Sequence, residues 1–411
     1  MTFPHLSDPN IEGYQTVRKF WIEYYNPQQQ TFISKRKCNG TYDDHKFVIW
    51  SIAVAVQSII DGARLFPELH PMIDPAVMIF QKYKNRRIKG YSAAENPNGD
   101  DMDIYYDDDA QVASCMITAY EVTGNRKYMD QAYELVEFLM TGWNNDPKAR
   151  TKGGMCWHIK NHYLNACTTA EVAKCCLQIS KYIPSRSREY IDFAGKCIDW
   201  QIGVLQDPED KLIMDGVQDT EVDVNRMKWT YNLGTTLSAA AQLYAITRNP
   251  KWKRIADELA TAGIDSNVFF YDRDYEHSKR YWRDGSYFVQ LLIEGLADYL
   301  LYVGSEVSPD LRTRIHDEVK KHLIMFYEFM KDPKTGLYIQ SFEPHHTYRE
   351  IYDTKYMKYF EGKKSWELKS EDRDDDTGEA QMCLMGCGAA ARVFFQGARI
   401  VPKIDPYNDL H

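Results

Sequence analysis

Apolar residues recur at three- and four-residue spacing through most of the chain, the mark of helices with one buried face. Tyr14, Val17, Phe20, Trp21 and Tyr24 keep this spacing, and so do Val112, Cys115, Met116 and Ala119. The pattern predicts helices over 11–26, 46–65, 71–84, 161–182, 190–205, 232–247, 251–262, 286–303, 311–331 and 378–399. A further helical pair turns at Thr123, Gly124 and Asn125.

The segment Tyr120, Thr123, Asn125, Lys127, Tyr128, Ala132, Leu135 returns in constant register as Tyr244, Thr247, Asn249, Lys251, Trp252, Ala256, Leu259. A fainter copy holds Tyr190, Asp192 and Ala194. Each copy reads helix, polar turn, helix, so the repeating unit is a helical hairpin of roughly sixty residues. About six such units would fill 411 residues, as a closed ring of paired helices requires. The expectation is an all-α fold, one domain over 1–411, with no linker or composition shift marking a second.

Long connections at 87–106, 143–160, 206–231, 269–285 and 333–376 are rich in Gly, Asp and aromatics. Each precedes a strongly apolar helix. In a hairpin ring they would gather on one face, where binding residues are usually carried.

Composition narrows the partners. The net charge of −9 points away from nucleic acid or an anionic membrane as main partner, with no Lys/Arg-rich run set against it. No apolar run suggests a membrane span, and the first residues lack an apolar signal core, so the expected location is cytoplasmic. Nine cysteines, an odd number without a CxxC pair, read as small buried apolar residues in a reducing compartment.

The chemistry begins at Tyr105, Tyr106, Asp107, Asp108, Asp109, Ala110 and Gln111. Three adjacent carboxylates repel one another, and a helix N-terminus offsets part of that cost through its free N–H groups and dipole. The stretch is either an acidic cap or a carboxylate pair for acid/base or nucleophilic work, or for holding a metal. Gly153, Gly154 and Trp157 are followed by Lys160, Asn161 and Asn165. Amides beside an indole can hold a sugar, though a glycine turn beside a core tryptophan reads the same way. His158 and His162 have a metal-compatible spacing but lack the accompanying glutamate of a HExxH motif.

Asp215 with Gly216, then Trp229, Tyr231 and Asn232, and then Trp282, Arg283, Asp284 and Tyr287, repeat the theme of acid and aromatic before a buried helix. Together they predict an acidic, aromatic-lined cleft for an oligosaccharide or small-molecule substrate, with no metal and no cofactor. The acidic run 371–376 is either a solvated loop or a further part of that cleft.

These residues resemble glycoside hydrolase family 76, the endo-α-1,6-mannanases. The likeness rests on Tyr106 through Ala110, on Ala119 through Gly124, on Gly142 with Trp143, and on Gly153, Gly154 and Trp157. It continues through Lys160, Asn161, Asn165, Ala166, Asp215, Gly216, Tyr231, Asn232 and Gly234. It is strong from about Lys46 to Ala262. It implies an (α/α)6 barrel and a retaining mechanism, with Asp107 as nucleophile and Asp108 as acid/base. Gln111 stands where the family usually carries tryptophan, and Leu233 where it usually carries glutamine. Three other readings stand beside it. One is a barrel of the same ancestry using an aspartic acid to cyclise or isomerise a non-sugar metabolite such as a terpenoid. Another is a Mg²⁺-dependent diphosphate enzyme using Asp100, Asp101, Asp103 and Asp107–Asp109. The last is an inactive carbohydrate-binding scaffold.

Overall fold

Six helices with little or no polar outer face form an inner ring: α2 (Ile49–Ala63), α4 (Tyr106–Thr123), α6 (Ala166–Ile179), α8 (Thr230–Thr247), α10 (Ser286–Val303) and α14 (Leu384–Ala398). Each packs against the next, and α14 closes the ring onto α2. Amphipathic partners cover the outside: α1 (Pro9–Tyr24), α3 (His70–Met78), α5 (Arg126–Met140), α7 (Ser187–Leu205), α9 (Pro250–Gly263) and α11 (Pro309–Met330). The difference follows from the sequence. α9 carries its apolar residues on one stripe, whereas α8 is buried from Thr230 through Tyr244 apart from Tyr231. This is a computed structural model, and it describes residues 5–405.

Ring closure brings backbones close. A Cβ on Gly234 of α8 would collide with the Leu291 carbonyl of α10, and one on Gly295 would collide with the Gly234 carbonyl. α10 is long and apolar enough to cross a membrane, which the sequence reading had denied to any segment; most of it is buried inside the ring. All nine cysteines are free and buried, as expected of small apolar residues.

The boundaries mostly agree with the apolar spacing, and 286–303 agrees to the residue. Two connections differ. The segments 143–165 and 206–231 hold a four-stranded antiparallel sheet: β3 (Cys156–His158), β4 (Asn161–Asn165), β5 (Met214–Gln218) and β6 (Asn225–Lys228). Residues 161–165 are therefore strand where helix was expected, and α6 begins at Ala166. The strand is held by pairing with β5, which follows α6 and α7 in the chain, Tyr163 to Gln218 and Asn165 to Gly216. Gly216 permits this approach, since a Cβ there would lie 2.6 Å from the Leu164 carbonyl oxygen. A small bridge β1 (Tyr25–Asn26) to β2 (Thr31–Phe32) follows α1, and single turns α12 (Arg349–Ile351) and α13 (Met357–Tyr359) lie in the last long connection.

Candidate active site

The inner helices run parallel, so their N-termini share one end of the ring. There the residue before the helix and the second residue within it face a common cleft in four of them. Val48 and Trp50 come from α2, Tyr105 and Asp107 from α4, Asn165 and Cys167 from α6, and Trp229 and Tyr231 from α8; Tyr287 of α10 occupies the same place. The cleft measures about 480 Å³, within the range of small-ligand sites.

Its walls differ in chemistry. On one side the ring of Phe288 stacks on Tyr231 at 4.1 Å and on Trp50 at 5.9 Å, with Trp229 tilted against it at 5.6 Å. On the other side the sheet presents Trp157, Tyr163 and Asp215. The Tyr163 hydroxyl donates to Asp215 Oδ2 at 2.6 Å, and Asn225 Nδ2 donates to the same oxygen at 3.2 Å. Asp107, Asp108 and Gln111 complete the lining, and no lysine or arginine takes part among the described residues.

Asp107 and Asp108 stand in the first turn of α4. The indole Nε1 of Trp157 donates to Asp107 Oδ2 at 3.1 Å, while Oδ1 has no partner. Removal from water pushes Asp107 up to about 6; the Trp157 bond and the free N–H groups of Asp107 and Asp108 act against this, and the Asp215 charge adds to it. Asp108 lies well above the usual carboxylate range, because it is withdrawn from water and faces the charges of Asp107 and Asp103. The two differ in donors. Asp107 has groups that favour its ionised form, and the causes acting on Asp108 all favour a retained proton. The two environments therefore favour ionisation of Asp107 and a retained proton on Asp108.

Glu171 lies beneath, one turn along α6 from Cys167. It is buried, its Oε1 has no partner, and burial pushes it up to about 7. Below it the ring axis is ionic. Lys174 Nζ reaches Glu294 at 2.7 Å, and Arg392 reaches Glu294 at 3.3 Å and Asp61 at 3.0 Å. Lys174, Glu294 and Asp61 of this network line a second cavity of about 310 Å³.

Of the expected site residues, Asp107, Asp108, Gln111, Trp157, Asn165, Asp215, Trp229 and Tyr231 line the cleft. Six others do not. Asp109 is fully buried, and both its oxygens accept the Tyr91 N–H, at 3.2 and 3.1 Å, because two residues on from Asp107 a helix has turned by about 200°. Tyr106 is buried against Phe138, ring to ring at 5.3 Å. Lys160 lies in the turn of the β3–β4 hairpin and Asn161 opens β4, both exposed. Asn232 is fully buried within α8. Trp282 is fully buried and stacked on His322 at 3.5 Å, a core contact between the segment before α10 and helix α11.

Leu233 is also buried, so this departure from the family pattern leaves the cleft lining untouched, whereas Gln111 enters it. Trp50, Tyr163, Cys167 and Phe288 are lining residues that the sequence reading missed, and Tyr287 was noted only in passing. The position shared by Trp50, Asp107, Cys167, Tyr231 and Tyr287, second in five of the six inner helices, was a signal that could have found three of them.

Metal-compatible groupings lie elsewhere. His158 and His162 face separate aspartates, Asp103 at 3.4 Å and Asp219 at 2.9 Å. Among the described residues, only Glu343, His345 and His346 bring three ligand atoms within 4.8 Å of one another, and Lys369 already holds Glu343 at 2.6 Å. The aspartates from 100 to 109 form no such group among the described residues.

Known proteins agree with this layout. Residues 12–330 match the profile of glycosyl hydrolase family 76. The chain is 26% identical to meiotically up-regulated gene 191 protein of Schizosaccharomyces pombe, covering 95% of this chain and 91% of that one. It is 30% identical to the mannan endo-1,6-alpha-mannosidase DCW1 of Saccharomyces cerevisiae over 29% of this chain and 28% of that one. The fold is shared with the GH76A alpha-1,6-mannanase of Salegentibacter sp. HEL1_6, with a TM-score of 0.70, 16% identity, and coverage of 96% and 100% of the two chains. An inactive variant of that enzyme, with two consecutive aspartates changed to asparagine, has been solved in complex with alpha-1,6-mannotriose. The match over residues 12–330 spans most of the ring, and this chain belongs to glycosyl hydrolase family 76, a glycoside hydrolase-like enzyme.

Proposed function

We propose that the chain is a retaining hydrolase or transglycosidase of α-1,6-linked mannose oligomers, with Asp107 as nucleophile and Asp108 as acid/base. The observation that carries this reading is the adjacent acid pair in the first turn of α4, unequal in hydrogen-bond donors, within an aromatic-lined cleft. Two carboxyl groups about 5–5.5 Å apart suit retention, because one can bond directly to the sugar. Asp107 attacks the anomeric carbon as Asp108 passes its proton to the departing glycosidic oxygen. Asp108, now ionised, takes a proton from water or from an acceptor hydroxyl, whose oxygen attacks the same carbon and frees Asp107.

The rest of the cleft fits a neutral sugar. Trp50, Trp157, Trp229 and Tyr231 offer faces for the C–H sides of pyranose rings. Asn165, Gln111 and Asp215 supply hydrogen bonds, and the lining lacks a cation that would select a charged substrate. The inactive Salegentibacter variant, changed at two consecutive aspartates and binding mannotriose, supports the same division between binding and chemistry.

The test is release of reducing ends from α-1,6-mannotriose, with the anomer of the first product read by NMR. Asp107→Asn and Asp108→Asn should each lose about 10²–10⁴-fold in rate and still bind the trisaccharide. Turnover that persists in both variants, or an inverted first product, would sink the assignment.

A further inference from the structure

The net negative charge conceals an exception. Lys82, Lys84, Arg86, Arg87 and Lys89 place five cations within eight residues, so the expectation that no Lys/Arg-rich run exists fails here. All five line one pocket of about 610 Å³, whose lining holds a single carboxylate, Glu95. We propose that this pocket binds a phosphate-bearing ligand.

The cations sit on a fixed frame. Asn85 N–H donates to Gly90 O at 3.0 Å, Arg86 N–H to Gly99 O at 2.7 Å, and Asn96 N–H to Lys82 O at 2.7 Å. The buried Asn85 side chain accepts from the N–H groups of Arg87 at 2.7 Å and Ile88 at 3.1 Å. Arg86 is held further. Its stem lies across Gly99, where any Cβ would collide with it, and its Nη2 donates to the Pro97 carbonyl at 3.2 Å. A guanidinium ordered before a ligand arrives loses less freedom on binding.

The charge is not cancelled from within. Glu95 is shared between Lys46 at 3.1 Å and Lys82 at 3.9 Å. Arg87 meets Asp100 only at 3.8 Å on the exposed side, and Lys89 is turned to Glu134 at 3.0 Å. Lys84 and Arg86 have no carboxylate partner among the described residues. Crowded cations with too few counter-charges favour a multivalent anion, and phosphate matches the planar donors of arginine. A monovalent carboxylate would leave most of the charge unopposed. The pocket is a concavity and not an extended stripe, which favours a phosphate group over a nucleic-acid backbone.

The pocket and the cleft share no lining residue, yet they share a connection. Ala93 faces the cleft and Glu95 the pocket, two residues apart and at most about 7 Å along the chain. The phosphate can come from a soluble phosphorylated sugar or from a lipid headgroup.

The experiment uses the full chain and three probes: inorganic phosphate and mannose 6-phosphate by calorimetry, and phosphatidylcholine vesicles with or without phosphatidylinositol by sedimentation. Saturable phosphate binding is expected, weakened about tenfold or more by Lys84→Ala or Arg86→Ala, since each removes a charge-assisted contact. Asp107→Asn should bind phosphate as the wild type does. Arg87→Ala, on the exposed side, serves as the variant least able to disturb the frame, and thermal melts establish that each variant is folded. Tighter binding of mannose 6-phosphate without vesicle binding assigns a soluble source. Sedimentation that requires phosphatidylinositol and is lost in the variants assigns a headgroup. Absence of saturable phosphate binding, or binding undiminished in a folded Lys84→Ala/Arg86→Ala double variant, overturns the proposal.

Discussion

Replacing Trp157 with phenylalanine removes one hydrogen bond from the acid pair and little else. The indole Nε1 sits 3.1 Å from Asp107 Oδ2, and a phenyl ring can keep the contact with Tyr105, now 4.9 Å between ring centres. A hydrogen bond to a charged group contributes about 1.5–3 kcal/mol net. Trp157 is 37% exposed, so water can take part of its place and the lower end applies. One pKa unit corresponds to about 1.4 kcal/mol, so the change is about one unit. Its sign is fixed, because the donor favours the carboxylate. Without the bond, Asp107 rises from about 6 to roughly 7. The proposed mechanism needs Asp107 ionised, so the acid limb of kcat/KM moves up by about one unit. Below both limbs the variant loses about tenfold, and on the alkaline side of the limb it approaches wild type to within the loss of ring contact. The assay is the initial rate of reducing-end release from α-1,6-mannotriose across the pH range. An acid limb that stays in place in a folded variant would refute the role given to this bond. A uniform loss at every pH would make Trp157 a binding wall and not a tuner of the nucleophile.

Asp108→Asn should stabilise the fold. Asp108 lies above the ordinary carboxylate range in the folded chain, so wild type loses stability as pH rises from that range toward the folded value. The variant's melting temperature should match wild type in acid and exceed it by a few degrees at neutral pH, read by thermal melts at several pH values. Glu171→Gln should move the acid limb of kcat/KM to lower pH, because a buried acid pushed up to about 7 and coupled to Asp107 no longer opposes ionisation of the pair. A purely structural Glu171 would change the melt and leave the profile alone. Gly234→Ala drives a methyl group into the Leu291 carbonyl and should cost at least about 1–3 kcal/mol, seen as a lower denaturant midpoint or as insoluble protein.

Much of the ring was legible because its signal is local. A helix buried on one face shows it within four residues, and α10 is bounded by Gly285 and Gly304. The sheet was not legible, because β4 and β5 find each other across α6 and α7, and the asparagines of β4 and Asp215 and Gly216 of β5 carry weak strand preference. The acid pair was found because three carboxylates before an apolar helix are locally costly. Asp109 was then misplaced because adjacency was read without helical phase. Trp282 was misplaced by analogy, since it precedes α10 by four residues, whereas Trp229 immediately precedes α8. The distance from the helix start, and not the residue type, separates a cleft aromatic from a core one.

The ring interior bears on the chemistry above it. An ion pair withdrawn from water gains little net stability, and apolar residues of the same volume often serve as well. Yet the axis of this barrel holds Lys174, Glu294, Arg392 and Asp61 in direct contact. Both cations are taken up by Glu294 and Asp61, which leaves Glu171 with an unpartnered oxygen under the acid pair. Ionisation of Asp107, Asp108 and Glu171 together would put three negative charges in a space with too few donors. At least one proton must therefore stay among them near neutral pH, as a mechanism starting from one acid and one carboxylate requires. A chain that replaced the axial ions with leucines would relieve the buried charge and alter the proton affinity of the pair. In the proposed mechanism the polar axis is thus part of what sets the chemistry at the cleft, and the Asp107–Asp108 pair alone is an incomplete description of it.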